Sequence, residues 1–167
     1  MLKQFLLRTF REGDLDQVMR INLTCLPENY TPNFFLDLHR RFPKTFLVAV
    51  ADGKVVGYVM CRIELGFPDM GGIGIIRKGH VVSLAVLPEY RRRGIGKALM
   101  MRAMDGMLDY GARECFLEVR VSNLPAINLY EGLGFRPVRR NIGYYADGEN
   151  ALVMSRKLGT GFPFQVY

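Results

Sequence analysis

Cysteine is scarce and scattered. Cys25, Cys61 and Cys115 are an odd number and form no C-x-x-C pair, which argues against a disulfide framework and against a structural zinc site. Histidine is scarcer still. His39 and His80 have no companion at metal-ligand spacing, so no catalytic metal is expected. No apolar run approaches the roughly 20 residues that span a bilayer. The opening Met1-Leu2-Lys3-Gln4-Phe5-Leu6-Leu7-Arg8 has a short apolar stretch but no small-residue cleavage site, so it reads as a first strand and not a signal peptide. A cytoplasmic protein without a membrane partner is the expectation. Acidic residues are also short, 16 against 23 basic ones, leaving a net charge of +7. The excess is largely arginine, in the runs Arg40-Arg41, Arg91-Arg92-Arg93 and Arg139-Arg140. Nucleic acid, a ribosome surface and a phosphorylated cofactor compete to explain it.

What is present describes one globular domain. The chain has 167 residues, 49% of them apolar and 23% charged, a size that buries about two-thirds of its unfolded surface. Phe5 to Phe10 reads as a strand. Gly13-Asp14 opens a helix, with Asp14 as cap, Gln17 completing a capping box and Leu15, Val18, Met19, Asn22 and Leu26 at helical spacing. Pro27 stops it. Thr31-Pro32 starts a second helix with Phe35, Leu36 and Leu38 inward. Thr45 to Ala51, the Asp52-Gly53 turn and Val55 to Ile63 form a hairpin. Leu65 to Gly79, rich in glycine, reads as a mobile loop, and His80 to Val86 as a strand. Gly94 to Tyr110 is a helix that buries Ile95, Leu99, Met100, Ala103, Met104 and Met107. Cys115 to Val121 is a strand, Pro125 to Leu133 a helix, Phe135 to Tyr144 a strand, and Ala151 to Arg156 the last strand after the Ala146-Asp147-Gly148-Glu149 turn. The order is βααβββ, then αβαββ, which predicts an α/β fold with helices covering a twisted sheet. Residues 1–158 make the domain and 159–167 a tail.

The chemistry concentrates where a strand passes through a basic, glycine-containing turn into a helix: Val82 to Val86, then Arg91-Arg92-Arg93-Gly94-Ile95-Gly96-Lys97. Unpaired N–H groups and the positive dipole end at a helix start form an anion site. Gly94 and Gly96 let a bulky phosphate approach the backbone. Common phosphate loops do not fit. A P-loop requires glycine where Arg91 stands and Ser or Thr where Ala98 stands. The dinucleotide fingerprint requires a third glycine where Leu99 stands.

What remains, Arg91-x-x-Gly94-x-Gly96, resembles the R/Q-x-x-G-x-G/A pyrophosphate loop of the GNAT superfamily of N-acetyltransferases. Asn123-x-x-Ala126-x-x-Leu129-Tyr130-Glu131-x-Leu133-Gly134-Phe135 is similar to that superfamily's second motif. Four further segments resemble protein N-terminal acetyltransferases, above all archaeal enzymes related to the NatA catalytic subunit and RimI-type enzymes. They are Leu26-Pro27-Glu28-Asn29-Tyr30, Arg77 to Ser83, Leu117 to Asn123 and Tyr144 to Glu149. Asn150 departs from the acidic residue usual there.

The resemblance implies a single GNAT-type domain: a mixed, mostly antiparallel sheet of about seven strands with a splayed central pair, and four helices. It implies acetyl-CoA as co-substrate, held by Leu84, Ala85 and Val86 along the pantetheine arm, by Arg91, Arg92, Arg93, Gly94, Ile95, Gly96 and Lys97 at the pyrophosphate, and by Asn123 and Tyr130. The acceptor implied is a protein N-terminus, bound by Glu28, Tyr30, Tyr144 and Tyr145. Glu118 and His80 are the candidate bases, on strands expected to be neighbours, and Tyr130 the acid for the departing thiolate. A ribosome surface and an auxiliary subunit stand open as partners; specific nucleic acid is not expected.

Plainer readings exist for each residue. Glu118 could be half of an exposed pair with Arg120, His80 a capped strand-end histidine, Glu28 a loop residue, Tyr130 a core tyrosine, and Tyr30, Tyr144 and Tyr145 edge aromatics. Cys115 reads as an inert buried thiol. An acetyltransferase for lysine side chains or small amines shares the cofactor residues, and a non-catalytic acyl-CoA- or RNA-binding module would use only the basic surface.

Gly94→Glu and Gly96→Glu are each expected to abolish acetyl-CoA binding in calorimetry, because a carboxylate would occupy the pyrophosphate position. Unchanged affinity in both folded variants would remove the cofactor assignment.

Overall fold

The computed structural model describes residues 4–159, so the expected tail lies outside the described residues beyond Gly159. The elements follow the order read from the sequence: β1 (Leu6–Thr9), α1 (Leu15–Cys25), α2 (Pro32–Arg41), β2 (Phe46–Ala51), β3 (Lys54–Gly66), β4 (Ile76–Val86), α3 (Ile95–Asp109), β5 (Glu114–Arg120), α4 (Leu124–Gly132), β6 (Arg136–Asn141) and β7 (Ala151–Lys157). The sheet has seven strands in the order β1-β2-β3-β4-β5-β7-β6. Antiparallel pairs join β1 to β2, β2 to β3, β5 to β7 and β7 to β6. The β4–β5 pair is parallel. The chain clusters into two compact units, one formed up to Arg62 together with Val81–Met107, the other from Ile63–His80 and Leu108 onward.

In the first unit, an apolar core of Phe10, Val18, Ile21, Phe35, Leu38, Phe46, Val48, Tyr58 and Met60 unites α1, α2 and the hairpin. Asp52 and Gly53, at φ 52° and 72°, make the β2–β3 turn with both residues left-handed, as a two-residue hairpin requires. Thr31 caps α2 by accepting the Phe34 N–H at 3.3 Å, and Pro32 occupies the first helical position. Of the residues expected inward on α2, Phe35 and Leu38 are buried and Leu36 is half-buried.

The expected capping box of α1 does not form. A 3-10 turn over Glu12–Asp14 places Asp14 in a helical conformation, where its carboxylate makes no cap bond to the helix. That carboxylate instead accepts the Arg11 N–H at 2.8 Å and pairs with Arg8 at 2.7 Å. Gln17 reaches outward, its Oε1 accepting the Val55 N–H at 3.0 Å. A longer-range partner has won over the local one in each case. The hydrogen bonds from Arg8 and Arg11 outweigh burial and hold the Asp14 carboxyl below the usual range.

In the second unit, β5, β7 and β6 form an antiparallel ribbon with a bulge between Pro137 and Arg139. The long loop expected over Leu65 to Gly79 is shorter than its glycine content suggested. β3 continues to Gly66 and β4 begins at Ile76, leaving only residues 67–75 between them. The reason is pairing: Lys78 lies opposite Glu114, and Gly79 opposite Cys115. The loop's base is also tied. Asp69 accepts from Lys78, Arg139 and Ser155, each at 2.8 Å. Buried Glu114 takes the Asp69 and Met70 N–H groups at 2.7 and 3.1 Å. Burial favours the neutral acid at Asp69, but those partners overcome it and lower its pKa. The Cys115 thiol is fully buried and burial pushes its pKa up, which keeps it unreactive.

Among the described residues no helix is long and apolar enough to cross a membrane.

Gly106 of α3 has no room for a side chain, since a methyl there would overlap the Lys44 carbonyl oxygen. Gly132, near the end of α4, has nothing within 4 Å of that position. Gly106→Ala is therefore expected to lose about 1–3 kcal/mol in urea unfolding. Gly132→Ala should gain roughly 0.5–1 kcal/mol. Equal effects from both would contradict this packing.

Candidate active site

The three-pair parallel ladder runs from Lys78/Glu114 to His80/Phe116, bringing His80 beside the strand that carries Glu118. His80 Nε2 and Glu118 Oε2 are 2.7 Å apart, a charge-assisted contact. The imidazole stacks on Phe116 with ring centroids 4.4 Å apart, so one of its faces is dry. The Lys78 ammonium lies 4.8 Å over that same phenyl ring. Side-chain exposure is 9% for His80 and 15% for Glu118, so the pair is largely shielded yet not sealed. Glu118 does not serve Arg120, whose guanidinium pairs with Asp147 at 2.8 Å and Glu149 at 3.0 Å.

A second carboxylate beside His80 was not singled out by the motifs. Glu64 Oε1 lies 3.4 Å from His80 Nδ1, within ion-pair distance but not aligned as a hydrogen bond. No sequence spacing signals it, because only the folding of β3 beside β4 brings the residues together. Burial presses the His80 pKa down; hydrogen bonding with Glu118 and attraction to Glu64 outweigh it and leave the pKa raised above 6.5.

Elsewhere in this unit, Asn123 caps α4, its Oδ1 accepting the Ala126 N–H at 3.3 Å. The motif asparagine thus has a structural task of its own. Tyr130 is buried on α4, its ring 5.9 Å from that of Phe135. The Asp147-Gly148 turn is closed by the Gly148 N–H bonding the Tyr145 carbonyl at 2.8 Å. It carries Tyr144, 49% exposed, in an edge contact with Tyr145 at 5.0 Å. The Arg120 guanidinium covers the Tyr145 ring at 4.1 Å, which fixes that ring's orientation.

The first unit holds the basic turn. Arg91, Arg92, Arg93 and Gly94 are exposed and precede α3, which begins at Ile95. Arg92 and Gly94 are left-handed, at φ 62° and 81°, a conformation uncommon outside glycine. Arg91 Nε donates to the Val86 carbonyl at 2.8 Å, so that carbonyl at the end of β4 already holds the turn. Arg93 lies 4.9 Å over the Tyr90 ring, and the Tyr90 hydroxyl donates to Asp52 at 2.7 Å. Leu84 and Val86 are half-buried on β4, and Ala85 is buried between them. Gly96 and Lys97, in the first turn of α3, are half-buried.

The Leu26 to Tyr30 loop is organised from beneath by a residue expected only as part of a helix face. Buried Asn22 donates to the Glu28 carbonyl at 3.0 Å and to the Tyr58 hydroxyl at 3.1 Å. Tyr58 in turn shares a 2.7 Å bond with Ser83. Burial raises the Tyr58 pKa to about 12, against the opposing effect of those partners, so it stays a neutral hydroxyl. Asn29 Nδ2 closes the loop onto the Leu26 carbonyl at 3.0 Å. Tyr30 stacks on Phe34 at 4.7 Å, its hydroxyl directed at the Val82 carbonyl 3.4 Å away. Among the described residues no cluster of three or more His, Cys, Asp or Glu could hold a metal ion.

Comparison with known proteins gives a consistent result. The family model described as "Acetyltransferase (GNAT) family" matches residues 15–135. An "N-alpha-acetyltransferase" of Saccharolobus solfataricus is 51% identical over 158 residues, covering 93% of this chain and 95% of its own. Another from Sulfurisphaera tokodaii is 49% identical, with the same coverage. The solved structure of Ard1 from Thermoplasma volcanium superposes with a TM-score of 0.79 at 32% identity, covering 92% of this chain and 97% of that one. Chaetomium thermophilum Naa20 in complex with a bisubstrate analogue gives 0.81 at 29% identity, covering 92% and 86%.

The raised His80 pKa has a consequence for stability. A folded pKa above the unfolded value stabilises the fold fully below the unfolded pKa, and that contribution is lost as pH rises through the folded pKa. Wild type should therefore exceed Glu118→Gln in denaturant midpoint most clearly below pH 6.5, the ordinary value for His80, with the gap narrowing above it. A gap that widens with pH would contradict the coupling.

Proposed function

The chain belongs to the acetyltransferase (GNAT) family, and on that premise we propose that it is an N-alpha-acetyltransferase, moving the acetyl group of acetyl-CoA directly to the α-amino group of protein N-termini. The observation that carries the site assignment is the shielded 2.7 Å contact between His80 and Glu118. Naming of the half-identical archaeal relatives as N-alpha-acetyltransferases supports the acceptor.

The residues divide the work as their chemistry allows. Arg91, Arg92 and Arg93 supply charge, and the N–H groups of Gly94, Ile95, Gly96 and Lys97 face the pyrophosphate at the start of a helix of 15 residues. Leu84, Ala85 and Val86 line the pantetheine arm, with Asn123 and Tyr130 completing the cofactor set. An α-amine has a pKa of about 8, so much of it is protonated at neutral pH and must lose a proton before attack. Glu118 accepts that proton and shares it with His80, two groups titrating as one unit. The freed nitrogen attacks the acetyl carbon. A backbone N–H meets the charge that develops on the carbonyl oxygen. Tyr130 returns a proton to the departing thiolate. No covalent enzyme intermediate is needed.

On the acceptor side, Glu28 and Tyr30 belong to a loop held rigid by Asn22 and Asn29. Tyr144 and Tyr145 belong to a tight turn. Both groups suit an extended peptide backbone, with Glu28 selecting among first side chains. The NatB acetyltransferase complex bound to CoA and MES is a structural neighbour at 27% identity and a TM-score of 0.78. By that analogy an auxiliary subunit is part of this reading. The net charge of +7 favours a ribosome surface as the place of work, in the cytoplasm.

Peptides beginning with Ser, Ala or Thr should be acetylated at the α-amine, read by mass spectrometry, while internal lysines react far more slowly. An N-terminally blocked, lysine-containing peptide that reacts as fast as its free counterpart would refute the α-amine assignment in favour of a side-chain acceptor.

A further inference from the structure

Glu64 lies on β3 and belongs to no recognised motif. The His80 imidazole has a carboxylate at each nitrogen: Glu118 2.7 Å from Nε2 and Glu64 3.4 Å from Nδ1. These carboxylates come from β5 and β3, the two strands that flank β4 in the sheet. Nδ1 is buried and lacks a hydrogen-bond partner, an arrangement that needs an explanation in a native fold. A neutral ring leaves one nitrogen lone pair facing a carboxylate in either tautomer. A charged ring presents an N–H to each carboxylate, 2.7 Å from one and 3.4 Å from the other. Another charged group near the ring is Lys78 of β4, which lies over Phe116 and is already paired with Asp69 at 2.8 Å. Glu64 is the most open of the three, its side chain 34% exposed against 15% for Glu118 and 9% for His80.

We propose that Glu64 is a positioning residue for acetyl transfer, holding His80 in its charged form once the Glu118–His80 pair has taken the proton of the attacking amine. The inference rests on the acyl-transfer reading above. The amine N–H bond breaks and its electron pair forms the bond to the acetyl carbon. With the neutral ring carrying its proton on Nδ1, the amine proton binds Glu118 and crosses the short contact to Nε2. The carbon–sulfur bond breaks, the thiolate takes a proton from Tyr130, and the second proton that the nitrogen sheds as the adduct collapses restores Tyr130 by way of solvent. The imidazolium is then flanked by two carboxylates, and its positive charge is compensated on both sides.

Removing the Glu64 charge should make the pair a weaker base, with effects in opposite directions that a purely structural role would not produce. In Glu64→Gln the His80 ring protons should titrate at lower pH by NMR, without substrate present. The acidic limb of the kcat/KM–pH profile should move to lower pH in step, extending activity into acid. The plateau kcat should fall, by up to about tenfold, because a weaker base removes the proton more slowly. KM for acetyl-CoA and for peptide should stay nearly constant. Glu64→Asp, which keeps the charge at a greater distance, should show smaller shifts in the same directions and serves if Glu64→Gln fails to fold. An unmoved His80 titration in the folded variants would overturn the assignment of Glu64 while leaving the Glu118–His80 reading intact. A moved titration with an unmoved pH–rate limb would show that the pair does not receive the amine proton, and would remove the premise as well.

Discussion

The parallel contact between β4 and β5 is three residue pairs long, and the candidate chemistry depends on it. A ladder this short contributes few backbone bonds, and the flanking side chains reinforce it. Lys78, at the first pair, ties to Asp69, and Glu114 opposite it holds the Asp69 and Met70 N–H groups. Buried charges of this kind are favourable only when every one is partnered, and breaking one leaves another stranded in low dielectric. That requirement fixes the register. With Lys78 opposite Glu114, the third pair places His80 beside Phe116, and Glu118 falls within hydrogen-bond reach of the ring. A one-residue slip would turn His80 to the other face of the sheet.

The same logic of polar groups satisfied at long range shapes the proposed acceptor and cofactor segments of the other unit. Asn22 stands on the buried face of α1, among apolar residues. Its amide reaches the Glu28 carbonyl and the Tyr58 hydroxyl, and so sets the loop that follows the helix. The turn before α3 is set by Arg91 bonding the Val86 carbonyl and by Tyr90 bonding Asp52 of the β2–β3 turn. Left-handed backbone at Arg92, a residue with a Cβ, is maintained only because its surroundings determine it.

Much of this was legible in the chain itself. Among the described residues, local patterns placed the four α-helices and seven strands in order, because local propensity and apolar spacing are properties of a few consecutive residues. The Asp52-Gly53 hairpin and the Thr31 cap were readable for the same reason: one turn conformation and one short side chain suffice. The Arg91-x-x-Gly94-x-Gly96 turn, with Asn123 and Tyr130, pointed to an acetyltransferase before any coordinates, and the family match agrees.

The tertiary structure decided what no window of neighbouring residues contains. The capping box at Asp14 and Gln17 was sound locally and failed because Arg8, Arg11 and Val55 offered better partners. The glycine-rich stretch after Leu65 looked like loop throughout, until strand pairing at Lys78 and Gly79 claimed its end. Glu64 carried no signal, since nothing in the residues around it says that β3 will bring it to His80. Sequence determines which groups exist and which segments are regular. Which carboxylate meets which imidazole is set by register between strands distant in the chain, because an interaction a few ångströms long depends on the packing of the whole unit that holds it.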